Sequence, residues 1–392
     1  MSRREVYLDN AATTAVDPAV AEAMAASLGS AGAHANPSSA HGAGRRALTL
    51  IEVARGQVAA RVGAQAAEIV FTSGATESNN LALHGVLTAR RAQAAHLITT
   101  RIEHPSVLDT ARALAESGIE VTYLDCDSRG LIEPDAVRGA FRPNTALVSV
   151  MHINNEIGTL QPIAEIGALC RARGVPLHVD AAQSAGKVNL DLETLSVDLC
   201  SLSAHKLHGP KGVGALYVRS GTALLPLLHG GGQEGGLRPG TLPTHQILGM
   251  GLAYELADPA VHGPRLARLR AALLDGLARL DGVLLNGSPE RCAPHILNLT
   301  FAGVEGESLL LALSDLAISQ GSACASDVAE PSQVLSSLGL SDAAAQSSLR
   351  FSVGRFTSDS DIAYALERVA AELARLRQWA PSAPIWCRSS RF

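Results

Sequence analysis

The feature that most constrains the fold is a repeated alternation, over residues 68–218, between short β-rich apolar runs and longer segments of helical periodicity. The apolar runs are predicted strands, at 68–72, 96–100, 121–125, 146–154, 176–181, 198–204 and 214–218. The intervening segments 105–118 and 162–174 each end in glycine, as helices often do. Buried strands joined by helical crossovers are typical of a largely parallel sheet. We therefore expect an α/β fold, a mostly parallel seven-stranded sheet flanked by helices, with ligand sites at the carboxyl ends of its strands.

The pattern changes after about residue 260. An Arg/Leu/Ala-rich helix is predicted over 264–281, strands over 296–301 and 349–353, and a last helix over 361–378. Apolar residues of the last helix recur at i, i+3, i+4 and i+7, which places them on one face. We interpret this part of the chain as a smaller α+β domain.

Composition excludes several function classes. The chain has 32 basic against 37 acidic residues, a formal net charge of −5, and only 3% aromatic residues, so neither a cationic surface nor stacking platforms for nucleic acid are expected. No apolar run is long enough to span a membrane, and MSRREVYLDN turns polar where a signal peptide needs an apolar core. We therefore expect a soluble, cytoplasmic protein without a nucleic-acid or membrane partner.

The cysteines are too sparse for a disulfide framework and form no C-x-x-C pair, so no metal site is expected. They lie at positions 126, 170, 200, 292, 324 and 387. Cys170 and Cys200 lie in apolar runs typical of buried thiols. Cys324 differs, because ISQGSACASDVAEPSQVL (318–335) surrounds it with small and polar residues, which suits a loop carrying an exposed nucleophile. From the residues alone, a structural thiol is about equally compatible.

A candidate anion site follows the first predicted strand, in SGATESNNLAL (73–83). The backbone N–H groups of Ala75 and Thr76 would be free at a helix N-terminus, and Thr76 adds a hydroxyl donor. An ordinary helix capping box explains the same residues, so this segment alone does not establish phosphate binding.

Two further strands end in residues suited to catalysis. Asp180 ends the run PLHVDA (176–181), with Gln183 close behind, and a carboxylate there is costly to bury unless a donor or cation faces it. The next strand leads through Ser203 and His205 to Lys206, which precedes a Gly-Pro break. A poorly solvated lysine there has a lowered pKa and favours Schiff-base chemistry. The alternatives are a helix-capping aspartate and a surface lysine beside a turn.

Together these features match the requirements of pyridoxal 5′-phosphate. That cofactor needs donors for its phosphate, an acid for its pyridinium nitrogen and a lysine for covalent attachment. It also needs a group to stack on its ring, and His104, after the strand at 96–100, suits that position.

With these motifs the sequence resembles the pyridoxal-phosphate-dependent cysteine desulfurases of the IscS/NifS type, in the class V aminotransferase family. The resemblance extends from YLDNAATT (7–14) to RFSVGRFT (350–357). It implies the PLP-dependent transferase fold type I, with a large cofactor-binding domain at 14–261. Residues 1–13 and 262–392 would form the small domain that carries the cysteine loop.

The resemblance also implies roles for individual residues. By this resemblance, the cofactor phosphate is bound by Ala75, Thr76, Ser203 and His205. Asp180 contacts the pyridinium nitrogen, and Gln183 lies near the ring hydroxyl. His104 stacks on the ring and transfers protons, and Lys206 forms the covalent link. The resemblance assigns the substrate carboxylate to Arg350 and Asn155, with Asn155 also facing the ring. Thr241, in RPGTLPTHQ (238–246), matches a phosphate contact made across a homodimer interface.

The implied activity is conversion of L-cysteine to L-alanine, with the sulfur passing to Cys324 as a persulfide and on to an acceptor such as an iron–sulfur scaffold protein. A different acceptor, in tRNA or DNA sulfur modification, and selenocysteine lyase activity fit the same residues. A related transaminase or lyase would have no use for Cys324, and a non-catalytic sulfur-carrier subunit would not need the full catalytic set. The chain departs from the family pattern at Gly235 and Pro239, where arginine and serine are expected.

Overall fold

The computed structural model describes residues 4–89, 95–320 and 331–379. Its strands are β1 (Val6–Tyr7), β2 (Ile69–Thr72), β3 (His96–Thr100), β4 (Glu120–Leu124), β5 (Thr145–Met151), β6 (Leu177–Asp180), β7 (Leu199–Ser203), β8 (Gly214–Val218), β9 (Val283–Asn286), β10 (Ile296–Phe301), β11 (Leu316–Ala317) and β12 (Ser348–Ser352). A seven-stranded sheet has the order β2-β8-β7-β6-β5-β3-β4. Strands β4, β3, β5, β6 and β7 are parallel neighbours, whereas β8 runs antiparallel to β7 and β2. The expected mostly parallel sheet is confirmed.

Helices cover both faces of this sheet. The helices are α1 (Pro18–Leu28), α2 (Gly42–Arg61), α3 (Ala75–Ala89), α4 (Pro105–Glu116), α5 (Pro134–Ala140), α6 (Ile163–Arg173), α7 (Thr244–Leu256), α8 (Pro259–Leu277), α9 (Gly306–Ala312), α10 (Gln333–Ser337), α11 (Asp342–Gln346) and α12 (Asp359–Trp379). Consecutive strand residues alternate between faces. Accordingly, Leu147 of β5 packs in the apolar cluster with α3 and α4, whereas Val148 packs in the cluster with α2 and α6. Among the helices of the described ranges, none is long and apolar enough to cross a bilayer.

Strand β5 is shorter than the run 146–154 predicted for it, because the chain turns directly after Met151. The side-chain oxygen of Asn154 accepts hydrogen bonds from the backbone N–H groups of Glu156 and Ile157, at 2.9 and 3.0 Å. Such a side-chain-to-backbone bond stabilises a turn in place of a strand. Asn155 therefore lies in a turn at the carboxyl edge of the sheet.

The C-terminal part has its own antiparallel sheet, in the order β12-β10-β9, and a separate apolar cluster with α8 and α12. Val6 and Leu8, from the start of the chain, pack in this cluster. Helix α8 starts before the predicted residue 264, because Asp258 caps it through the backbone N–H of Ala260, and it ends at Leu277 rather than 281. These contacts are consistent with the domain division at 14–261, which remains a prediction.

The loop before α3 and the start of β8 approach each other so closely that only glycine fits at position 214, the first residue of β8. A Cβ on Gly214 would lie 2.6 Å from the Cα of Gly74 and 2.6 Å from the carbonyl oxygen of Leu202. Both contacts are backbone atoms, so neither can move aside as a side chain would. The position of the Ala75–Thr76 loop therefore depends on Gly214.

We expect Gly214→Ala to lower the free energy of unfolding by about 1–3 kcal/mol, the usual range for overpacking a tight site. Because the displaced loop starts α3, the affinity for pyridoxal 5′-phosphate should also fall. The matched control is Gly56→Ala, which adds the same methyl group in α2, where no described atom beyond the neighbouring helix backbone lies within 4 Å of it. That change should stabilise the protein, since alanine is favoured over glycine in a helix. Thermal unfolding of both variants checks this, and an unchanged midpoint for Gly214→Ala would contradict it.

Candidate active site

A cavity of about 470 Å³ opens at the carboxyl ends of the parallel strands. The predicted site residues that line it are Ala75, Thr76, His104, Asn155, Asp180, Gln183, Ser203, His205, Lys206 and Arg350. Thr241 is exposed and does not belong to this lining, and Cys324 lies outside the described residues. The structure therefore brings together side chains from both parts of the chain, because Arg350 of β12 lines the same cavity as residues at the edge of the large sheet.

Lys206 extends from the loop after β7 towards the start of the chain. Its Nζ donates hydrogen bonds to the carbonyl oxygens of Ala11 and Ala12, at 2.6 and 2.7 Å. The backbone carbonyl of His205 accepts from the N–H and hydroxyl of Thr14, which fixes the same N-terminal segment. The amine thus lies in the cavity at a defined position, poised beside two carbonyl groups.

Asp180, the last residue of β6, is buried and hydrogen-bonded through both carboxylate oxygens. Oδ1 accepts from the backbone N–H of Ala182, and Oδ2 accepts from Asn79 Nδ2 at 2.8 Å. These donors offset the cost of burying an ionised carboxylate. A buried anion at this edge suits a protonated ring nitrogen.

His104 is the N-cap residue of α4, where its Nδ1 accepts the backbone N–H of Ser106 at 3.1 Å. Burial lowers the pKa of the imidazole, although Asp180 opposes the shift, and Lys206 lowers it further. A neutral imidazole can both donate and accept a proton, as an acid–base group must.

Two of the residues predicted to bind phosphate have hydrogen-bonding capacity that the described part of the protein leaves unused. The Oγ of Ser203 is buried and has no hydrogen-bond partner among the residues that the structure describes. His205 donates or accepts at Nδ1 with Thr13, 3.1 Å away, and burial with nearby lysines lowers its pKa to about 4, so the ring is neutral. Helix α3 begins at Ala75, so its first N–H groups face the same cavity. An orphaned hydroxyl beside a helix N-terminus fits a bound phosphate.

Arg350 is buried, with only 2% of its side chain exposed, and it lies between two acceptors. One guanidinium nitrogen donates to Asp9 at 2.9 Å and another to the carbonyl oxygen of Asn155 at 2.8 Å. The partner Asp9 was missed in the sequence, although it stands inside the YLDNAATT motif. Its pairing orients the guanidinium at the cavity wall.

A buried basic pair lies behind Gln183 and was also missed. Lys187 Nζ and His295 Nε2 are 3.2 Å apart, and each lies 3.3 Å from Gln183 Oε1. Gln183 Nε2 donates to the Ala11 carbonyl at 2.8 Å, so the amide is held at both ends. Burial lowers the pKa of Lys187 and of His295 well below their ordinary values, with neighbouring cations adding to both shifts. No local sequence signal marks His295, which precedes an ordinary strand.

Two buried acids complete the surroundings. Burial raises the pKa of Glu103 to about 8, and the nearby charge of Asp180 adds to the rise. Hydrogen bonds from the Met151 backbone N–H and the Thr100 hydroxyl act in the opposite direction and lower this pKa. Glu156 lines the cavity and accepts from the hydroxyl of Ser332, and burial raises its pKa as well. Glu103 directly precedes His104, which is the only sequence signal that could have drawn attention to it.

The loop that carries Thr241 is attached to helix α2 and strand β2 through the buried side chain of Glu234. Glu234 accepts from both terminal nitrogens of Arg55 at 2.8 Å and from the backbone N–H of Phe71. Glu234 and Gly235 have φ values of +49° and +63°. Glycine adopts this left-handed conformation without strain, so the departure at Gly235 suits the local geometry.

The chain is similar to known proteins in family, in sequence and in structure. Residues 6–364 match the family described as Aminotransferase class-V. The chain is 51% identical over 381 residues to the cysteine desulfurase IscS of Aeromonas hydrophila, covering 96% of this chain and 94% of that protein. A solved NifS-like protein superposes with a TM-score of 0.88 at 36% identity, over 95% of this chain and all of that one. A structure titled SspA in complex with cysteine superposes with a TM-score of 0.81 at 40% identity, over 90% of this chain and all of that one.

Proposed function

This chain belongs to the aminotransferase class-V family and, within it, to the cysteine desulfurases, and on that premise we propose that it converts L-cysteine to L-alanine with pyridoxal 5′-phosphate as cofactor. The observation that carries the proposal is that Lys206, Asp180 and Arg350 line one cavity. A lysine nucleophile, an acid for a ring nitrogen and a carboxylate-binding guanidinium are the groups that an amino-acid substrate of this cofactor requires.

The cofactor's place follows from the donors and acceptors already described. Ser203, His205, Thr76 and the N-terminus of α3 would bind its phosphate, Asp180 its ring nitrogen, and Lys206 its carbonyl carbon, with Ala75 and Gln183 beside them. When bound, the cofactor acts as an electron sink that makes the α-proton of an amino acid removable.

The protein groups then position the substrate and move protons. Arg350 binds the L-cysteine carboxylate while Asp9 keeps the guanidinium oriented, and Asn155 lies beside it. Lys206 Nζ, which the two backbone carbonyls place in the same cavity as Arg350, takes the α-proton. His104, with its neutral imidazole, carries a proton to or from the reacting atoms.

Cys324 is the proposed sulfur acceptor within the protein. Its thiolate attacks the substrate sulfur, so that an S–S bond forms as the Cβ–S bond breaks. The electron pair of the broken bond stays on the β-carbon, which takes up a proton and leaves as alanine. Cys324 then carries a persulfide, whose outer sulfur is passed to an acceptor or released by a reductant as sulfide.

The direct test is to incubate the cofactor-loaded protein with L-cysteine and dithiothreitol and to measure alanine and sulfide together. Equal amounts of both are expected. A loaded protein that forms neither product would contradict desulfurase activity. A parallel reaction with L-selenocysteine distinguishes a cysteine desulfurase from a selenium-specific lyase. The lyase would form alanine and selenide from L-selenocysteine but no product from L-cysteine.

We propose an iron–sulfur scaffold protein as the acceptor and a cytoplasmic location for the transfer. The chain is 51% identical to the cysteine desulfurase IscS of Aeromonas hydrophila. This similarity supports the acceptor class that the resemblance to IscS-type enzymes implies.

We also propose a homodimer in which Thr241 of one subunit contacts the phosphate bound in the other. Thr241 is exposed and stands apart from the cavity lining, as a residue that completes a partner's site would. Its loop is held against β2 and α2 by the buried Glu234–Arg55 pair, so it presents a defined surface.

A further inference from the structure

Asn79, a fully buried residue of α3, connects two parts of the candidate site. Its Nδ2 donates to Asp180 Oδ2 at 2.8 Å and to Ser106 Oγ at 2.8 Å. The amide has one sensible orientation, because reversing it would place its oxygen against the Asp180 carboxylate. Asp180 and Ser106 come from β6 and α4, so one side chain links three elements of the fold.

The direction of the hydrogen bonds continues from Ser106 to His104. An amide NH₂ group can only donate, so the Ser106 oxygen accepts from Asn79. The Ser106 hydroxyl hydrogen is then available to His104 Nδ1, 2.8 Å from its oxygen. The backbone N–H of Ser106 donates to the same nitrogen at 3.1 Å. With two donors directed at Nδ1, the proton of the neutral ring must be on Nε2.

We propose that Asn79 and Ser106 are positioning residues that hold His104 in the tautomer protonated at Nε2 and tie its ring to Asp180. The inference rests on the proposed function, in which His104 transfers protons beside the cofactor. Through Asn79, the group that faces the ring nitrogen and the group that shuttles protons are held in one geometry. The lowered pKa of His104 supports this, because the tautomer matters only while the ring is neutral.

The test measures the protonation of each ring nitrogen of His104 by NMR of protein labelled with ¹⁵N-histidine, cofactor-free and cofactor-loaded. The His104 signals are assigned as those absent from His104→Gln. In the unmodified protein near neutral pH, Nδ1 should be unprotonated and Nε2 protonated. Ser106→Ala, which removes the hydroxyl donor, should give a mixture of the two tautomers and lower kcat about tenfold with KM within about twofold.

A double-mutant comparison separates positioning from general damage. Asn79→Leu should shift the His104 signals in the same direction as Ser106→Ala, but should cause no further shift when Ser106 is already alanine. The matched control is Thr110→Val, which removes another hydroxyl of α4, bonded to Asn80 and the Ser106 carbonyl but not to His104. It should leave the His104 signals unchanged.

A proton found on Nδ1 in the unmodified protein would overturn the inference, and so would independent shifts from Asn79→Leu and Ser106→Ala. The NMR measurement needs no turnover, so its outcome is distinct from that of the desulfurase assay. A protein that forms alanine and sulfide but carries its His104 proton on Nδ1 would keep the proposed function and lose this inference.

Discussion

Replacing Lys206 with alanine is expected to reduce turnover of L-cysteine by at least about 10³-fold, the scale on which catalytic nucleophiles and bases act. The side chain is assigned two tasks, attachment of the cofactor and removal of the α-proton, and alanine can do neither. Formation of alanine and sulfide should both be lost. The visible absorption of the lysine-bound cofactor should also be absent, which separates loss of attachment from a defect in substrate binding.

The chain contains three lysines, at 187, 206 and 211, which makes a matched control available. Lys211 follows in the same loop and is exposed, and Lys211→Arg keeps its charge. Lys211 borders the same cavity, and because arginine keeps its positive charge there, we expect that variant to retain turnover within about threefold. Full activity in Lys206→Ala would refute the assignment of the site, because attachment of the cofactor and removal of the α-proton are both assigned to this amine.

Replacing Cys324 with alanine is expected to lower the rate of sulfide formation from L-cysteine by at least about 10²-fold. L-cysteine should still bind to this variant. The groups assigned to substrate binding, Arg350 and Asn155, are unchanged in this variant. L-cysteine should therefore still alter the absorption spectrum of the bound cofactor. Sulfide release and the spectrum are measured on the same sample.

Three of the four cysteines in the described ranges are poor substitutes for this nucleophile. Burial raises the pKa of Cys126 to about 11 and that of Cys170 to about 12, and raises that of Cys200 well above its ordinary value. These groups stay as thiols near neutral pH, and a thiol is a weak nucleophile. Cys292 is partly exposed, so Cys292→Ala is the control and should keep full sulfide release. Sulfide loss in that variant, or its retention in Cys324→Ala, would count against the assignment.

Much of this site could be anticipated because its signals are local. Asp180 ends the apolar strand β6 and Lys206 lies three residues after β7, and polar residues at a strand's carboxyl end are visible in a few residues of sequence. The same holds for Gly174, predicted to end α6, which adopts φ +63° there. Boundaries were less accurate, since the end of β5 depends on the turn made by Asn154 and the start of α8 on the cap at Asp258.

What the sequence determined by itself was the order of elements and the chemical types placed at strand ends, because hydrophobic periodicity and the residues next to it are properties of short segments. What only the tertiary structure decided was which groups meet. Arg350 pairs with Asp9 across 341 positions and Asn79 with Asp180 across 101. Burial, which raises the pKa of Glu103 to about 8, is likewise a property of the packed molecule. Such contacts arise when helices and sheets pack together, and no short stretch of sequence specifies that packing.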